Sequence, residues 1–458
     1  MTTLNPKIPK SDDYTELRFH EQHKSLLLMV DGNLTINSHT NEAGASARVY
    51  NKGYWGLSAL SGTSTKNGNM ALDKARDNAR VMSRFGAQKS NVSLPTDVYR
   101  GEHSFKGKAP LTQNECADLL QSLNAFCKHK YPDLVSVTFR LLSDHHVKRL
   151  ATSVGSQSTN SIQRAVFSYS FATRDTSGRP VKLADYISAK GSVADLNMSI
   201  MDMEERFDDL YHHVQAKREA VPARGGLHKV VLAADLAGML AHEAMGHPCE
   251  ADAVLSGAVT KDLVGKRVAS GLVSMVDFAH NYNGEELLIP VYADDEGTPS
   301  TDVLMIKDGI LQQFMTSRET AARTGQRSSG NARAFAYNDE PLVRMRNTAI
   351  LPGNDKLEDM IAGVEDGYYL MRTNNGQADT TTEFVFGITL GYEIKNGKLG
   401  RAIRDTTLSG NAIKMLKNVD AVSDEMFWSS AGYCGKKQPM VVSMGGPALR
   451  SVAHLGGQ

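Results

Sequence analysis

His242, Glu243 and His247, in the stretch AHEAMGHPCEADAVLSG (241–257), are the residues of this chain whose types and spacing bear most directly on chemistry. Imidazole nitrogens bind transition-metal ions. A glutamate directly after the first histidine is how metallopeptidases place a general base beside a metal-bound water. The familiar arrangement spaces the two histidines by four residues, whereas here they are five apart. On a regular helix, positions four apart differ by about 40° around the axis and positions five apart by about 140°. The pair can share a metal only where the helix widens. A single π-type turn closing at Gly246-His247-Pro248 returns i and i+5 to nearly the same face. Without such a turn, two histidines at a helix end are more simply surface residues or satisfied polar groups.

A catalytic zinc ion takes three protein ligands and keeps one position open. Candidates for the third are Cys249, Glu250 and Asp252, just downstream, and the distant Cys434 in SSAGYCGKKQPM (429–440), where Gly432 and Gly435 allow close backbone approach. A cysteine in so polar a segment is unusual for one that merely packs. Glu250 and Asp252 can instead orient a zinc-bound imidazole from behind, or stand as a solvated acidic pair. Arg344, Arg346 and Asn347, in RMRNT, are of a type to hold a peptide backbone or carboxylate, with salt bridges inside a sheet as the competing role. Asp294, Asp295 and Glu296 read as a turn before Gly297. The histidines of HEQH (20–23) are three apart in a polar segment and read as non-functional.

These residues need elements to carry them. Asp235 is placed to cap a helix running through Leu236, Met239, Leu240 and His242, fed by a strand in HKVVLAAD (228–235). Upstream, SLLLMVDGNL, GASARVY and KGYWGLSAL read as short extended segments, with an Asp-Gly turn in VDGN. They precede a helix in NMALDKARDNARVMSRFG that Gly86 ends. A second helix, LTQNECADLLQSLNAFCKHK, is capped by Thr112 and takes Cys116 and Cys127 into its apolar face or its boundary. Extended segments DLVSVTFRLLSD and RAVFSYSFATRD come next, then a third helical stretch over 192–220 and the linker-like VPARGG. From Val291 onward most segments are extended, with hairpin turns at Lys307-Asp308-Gly309 and Lys395-Asn396-Gly397.

This predicts an α+β protein. An N-terminal α/β region covers 1–221, divisible into subdomains of about 1–110 and 111–221. A C-terminal domain, 222–458, is dominated by antiparallel sheet and carries the metal-binding helix.

Composition narrows the function. A chain of 458 residues with 41% hydrophobic content can bury more than one core. Its 51 basic and 51 acidic residues balance, and no basic stripe points to nucleic acid or a membrane surface. The polar N-terminus lacks the apolar core of a secretory signal, no run spans a bilayer, and four cysteines in so long a chain read as reduced thiols. A soluble, cytoplasmic protein acting on small molecules or peptides is expected.

Several further segments carry a resemblance in the right order: HEAMGHPCEADAVLSG, YADDEGTPSTDVLMIKDGILQQFMTSRETAARTG, RMRNTAILPGN, NNGQADTTTEFVFG and YCGKKQPMVVSMGGPALRSVAHLGG, preceded by DGNLTINSHTNEAGASARVYNKGYWGLSAL. With them the chain resembles the TldD/PmbA metalloproteases, once called modulators of DNA gyrase, over most of its length. Because His-Glu-x-x-x-His is kept, it is similar to the catalytic, TldD kind of subunit. The resemblance implies zinc held by His242, His247 and Cys434, with Glu243 as the base, and hydrolysis of unfolded or small peptides. It also implies a heterodimer with a motif-less homologue, a homodimer being the other arrangement. Pro248 and Cys249 depart from the small or apolar residues expected there, which leaves Cys249 as an alternative thiol. The competing function is a non-catalytic, zinc-containing peptide-binding or structural subunit, signalled by a closed four-ligand site.

Overall fold

Asp31 at φ 52° and Gly32 at φ 84° turn strand β1 (Tyr14–Val30) straight back into β2 (Asn33–Asn51), the hairpin that VDGN predicts. The computed structural model describes residues 6–8, 12–86 and 91–457; residues 1–5 and 9–11 of the polar N-terminus discussed above lie outside them. Strand β3 (Tyr54–Ser61) leads into α1 (Thr65–Phe85), which the Ser64 side chain caps and whose Ala71, Leu72, Ala75 and Ala79 pack on Leu17, Phe19 and Val49.

The chain continues through β4 (Arg100–Ser104), α2 (Gln113–Lys130), β5 (Ser136–Thr152), β6 (Gln157–Arg174), β7 (Pro180–Lys190) and α3 (Ile200–Arg218). These strands form one seven-stranded sheet, ordered β3-β2-β1-β5-β6-β4, with β7 also paired to β6. Thr112 caps α2 in a reciprocal box with Glu115. Cys116 and Cys127 are buried with Leu120, Phe139, Phe167 and Phe207, as core residues. The third helical stretch is broken: a 3₁₀ turn at Val193–Leu196 ends at Asn197, with φ 53°, and α3 starts again behind Ser199.

The strands outrun the apolar alternation. β1 begins at Tyr14 and not near Lys24, and β5 and β6 continue through the polar DHHVKRLAT and QSTNSIQ. These polar stretches face the other half of the molecule. Arg48 holds Glu16 and, at 2.6 Å, Glu296; Lys148 holds Asp295 at 2.6 Å; Arg18 lies 3.7 Å from Asp295. The backbone N–H of Arg318 donates to Glu296, and its guanidinium donates to the carbonyls of Pro95 and Asp97. Asp294 does shape the expected turn, accepting from the N–H groups of Glu296 and Thr298, with Gly297 at φ 69°.

In the C-terminal half, β8 (Gly226–Leu232) runs parallel to strand Asp366–Ala378 and antiparallel to Leu449–Leu455 within a second seven-stranded sheet. A six-stranded sheet is built around β9 (Met275–Phe278), with Val303–Lys307 and Asn347–Ile350 antiparallel on either side. Antiparallel pairing dominates, and the fold is α+β. Asp308-Gly309 and Asn396-Gly397 all have positive φ and make the predicted hairpin turns. The linker-like segment is tied down at its start, where the Val221 N–H donates to Ala402. No helix among the described residues is long and apolar enough to cross a membrane.

Candidate metal centre

Helix α4 (Ala234–Leu240) leaves the end of β8 and enters a core shared by both C-terminal sheets, burying Leu236, Leu240, Ala241, Ala244 and Met245 with Met275, Ile350, Leu370 and Leu449. Its N-cap is Ala233, without a side-chain bond, and not Asp235 as the sequence suggested. Asp235 sits in the first turn instead, where its carboxylate accepts from the Leu236 N–H. From Ala241 to Gly246 the helix widens into a π turn, and the His247 N–H reaches back to the His242 carbonyl. The five-residue spacing is thereby accommodated as the geometry requires. Gly246 lets this turn seat against its neighbour: a Cβ there would lie 2.1 Å from the Met345 sulfur.

His242 and His247 consequently meet, their rings 5.1 Å apart and near-perpendicular. The third member arrives from 187 residues away. Cys434 lies on strand Tyr433–Lys436 with its Sγ 3.2 Å from His247 Nε2. One donor atom each from His242, His247 and Cys434 lies within 4.8 Å of the others. Glu243 stands on the same turn, its carboxylate 3.8 Å from His247 Nε2 and the side chain 18% exposed.

Glu250 is fully buried behind the cluster, 3.0 Å from His247 Nδ1, and also receives Lys436 Nζ at 3.0 Å. The pair is a carboxylate-imidazole contact of the kind that fixes a ligating ring. Burial opposes the charge on Glu250, but His247 and Lys436 together bring its carboxyl down to about 2. Burial likewise opposes charge on His247, yet Glu250 and Cys434 raise its pKa well above the usual imidazole range. The Cys434 thiol, despite burial, is brought down to about 4 by the two imidazoles.

Two imidazoles and a thiolate form a nitrogen-sulfur donor set suited to zinc, and three such donors leave a position for a reactant. The buried Nδ1 of His242 has no hydrogen-bond partner. The residues fit a metal ion.

The remaining sequence candidates are distributed differently. Cys249 is packed in the core, and burial pushes its thiol up to about 12. Asp252 faces Lys436, at 2.7 Å, and not an imidazole. Arg344 is fully buried and donates to the carbonyls of Cys434, at 2.7 Å, and Gln438. Asn347 is fully buried and bonded to the backbone of Phe278 and Ile289. Both side chains bond backbone carbonyls of this chain, and Arg344 Nε has no partner. Lys436 escaped the sequence reading, although it stands two residues from Cys434 on the same face of the strand.

Comparison with known proteins agrees with this geometry. The sequence pattern of the PmbA/TldA metallopeptidase C-terminal domain matches residues 225–453, and that of domain 1 matches 15–79. The chain is 34% identical to a zinc metalloprotease TldD homolog of Saccharolobus solfataricus over 56% of each chain, and 28% identical to a metalloprotease of Methanocaldococcus jannaschii over 98% of each. Its fold is that of TldE from Thermococcus kodakarensis (TM-score 0.77, 16% identity, 97% of both chains). It is also that of a protein described as a putative modulator of a DNA gyrase from Thermotoga maritima (TM-score 0.75, 19% identity, 97% and 96%). With its C-terminal half matched from one end to the other and the His, His and Cys donors gathered within it, the chain belongs to the TldD/PmbA family of metallopeptidases.

Proposed function

We propose that this chain is a zinc-dependent peptidase acting on unfolded or small peptides, with zinc held by His242, His247 and Cys434 and with Glu243 as the general base. The observation that carries the reading is the meeting of the three donors with the Glu243 carboxylate beside them. A bound zinc ion supplies Lewis acidity, acidifying water and polarising a carbonyl. The protein's own residues supply the rest. Glu243, partly open to solvent, accepts a proton as the water oxygen bonds to the scissile carbonyl carbon, then returns it to the nitrogen as the C–N bond breaks. Glu250 keeps the His247 ring oriented throughout, and Lys436 keeps Glu250 ionised.

The names of the relatives support a partnership of the TldD/TldE type, in which a second subunit encloses the site. A cytoplasmic location accords with four free cysteines. The competing structural role calls for a fourth protein donor. Among the described residues the clustered donors are His242, His247 and Cys434, and Cys249 does not join them. The test is cleavage of an unstructured peptide, analysed by mass spectrometry, by the chain with any co-purifying homologue and by its Glu243→Gln form. Fragments from the wild type alone, with equal zinc in both, are expected. Equal cleavage by Glu243→Gln removes the assigned base, and no cleavage by either form at full zinc occupancy turns the reading to a structural subunit.

A further inference from the structure

Among the described residues, the strand that brings Cys434 has no larger sheet to hold it. Tyr433–Lys436 pairs with Gln438–Val441 alone, in a two-stranded ribbon. Side chains must therefore fix its position. From the C-terminal half, Arg344 takes the Cys434 carbonyl and Arg333 that of Val441, at 2.8 Å.

The other anchors come from the N-terminal sheet. Arg164 of β6 donates to the carbonyls of Ser430 and Gly432, at 2.5 and 3.1 Å, just ahead of the cysteine, and lies 4.6 Å from the centre of the Tyr433 ring. Asp144, opposite Arg164 in the β5–β6 register, accepts the Tyr433 hydroxyl and lies 3.4 Å from Arg164. Adjacent residues of a strand point to opposite faces, so Tyr433 is gripped on one side while Cys434 is presented to the histidines on the other.

Both charges are almost fully buried, and Arg164 Nε and Asp144 Oδ1 lack partners. A buried pair so incompletely satisfied is a poor source of stability, since apolar replacements commonly serve as well. What the pair visibly holds is the segment 430–433.

We propose that Arg164 and Asp144 are positioning residues for the metal centre. Through Tyr433 and the two carbonyls they hold the Cys434 sulfur at His242 and His247, so that the N-terminal sheet delivers the third ligand. This rests on the reading of Cys434 as a ligand.

The test uses the full chain loaded with Co²⁺, monitoring the thiolate-to-cobalt charge-transfer absorption and Co²⁺ affinity, with thermal unfolding measured alongside. Arg164→Met is expected to keep cobalt on the histidines, to lose most of the charge-transfer band and to bind on the order of tenfold more weakly. Tyr433→Phe, which keeps the ring, loses a smaller share, and Arg164→Lys restores part of the band. An unchanged band and affinity in folded Arg164→Met overturn the proposal. Should that variant not fold, Tyr433→Phe decides alone, and a wild-type spectrum and affinity there overturn it. Cys434→Ser separates the two levels: a band that survives this change refutes the ligand assignment, whereas a band lost only there leaves the ligand in place and removes the positioning role.

Discussion

Two buried polar regions of this protein are built to opposite rules. Along the seam between the N-terminal sheet and residues 294–297, each of three carboxylates meets a cation: Glu16 and Glu296 share Arg48, and Asp295 takes Lys148 with Arg18 beside it. These three carboxylates are met by the protein's own cations. Around His242, His247 and Cys434, partners are arranged on the outer side only. Glu250 bonds the His247 ring, Lys436 bonds Glu250 and Arg344 bonds the Cys434 carbonyl, while donor atoms of His242, His247 and Cys434 converge. The first pattern welds, and the second, on the function proposed above, leaves a place for an ion and its substrate. Buried charge by itself therefore says little about function; which way the unspent valence points says more.

The largest effect is expected at the seam. Glu296→Ala strips a carboxylate from Arg48 and from the Arg318 N–H, and should cost about 3–5 kcal/mol in denaturant unfolding, while zinc stoichiometry in the folded fraction stays at the wild-type value. A seam variant that loses zinc without losing stability would show that the two regions are not separate devices.

At the centre, the expected effects reverse. Glu250→Gln should weaken zinc binding about 10- to 100-fold in a chelator competition, the usual result of removing the group behind a ligating imidazole. If affinity is unmoved, the carboxylate-imidazole contact is only structural. Gly246→Ala pushes a methyl group against the Met345 sulfur. It should cost about 1–3 kcal/mol, in the range of overpacked cores, and lower zinc content at the same time; full zinc with unaltered stability would mean the π turn can shift freely.

The smallest effect concerns proton balance at the seam. His20 Nε2 lies 3.1 Å from His146 Nδ1, and burial together with the neighbouring Lys148 holds both rings well below the usual imidazole range. A free histidine titrates near 6.5, so as pH falls below about 6.5 the unfolded chain takes up protons that the folded one refuses, and stability declines. The contribution is intact above that pH. The stability difference between wild type and His146→Gln should shift toward the variant by up to about 1.4 kcal/mol per pH unit below 6.5. Parallel pH profiles would show that His146 is protonated in the fold.

What the sequence disclosed divides along the same line. The His-Glu-x-x-x-His spacing required a widened turn, and that turn is present at 241–246. The three Asp-Gly and Asn-Gly hairpins were legible because positive φ selects those residues. The polar ends of β1, β5 and β6 were not, because alternation marks a strand only when one face is apolar. Here the buried face is charged. The role of Arg344 was hidden for a related reason: nothing local to RMRNT signals a carbonyl 90 residues away.

The π turn has a consequence for lengths of chain. Relative to a regular helix it is one residue too many between two fixed histidines, and each residue adds about 100° of rotation. Cutting out Ala244 would restore the ordinary four-residue spacing of metallopeptidase helices and let the coil relax. Because the π turn has already absorbed the extra residue, His247 and the residues beyond it would keep nearly their present phase, and Glu250 would still face Lys436. The extra residue is thus absorbed within a single turn: the widening is confined to 241–246, and the residues beyond His247 stay in step with the strand that carries Cys434.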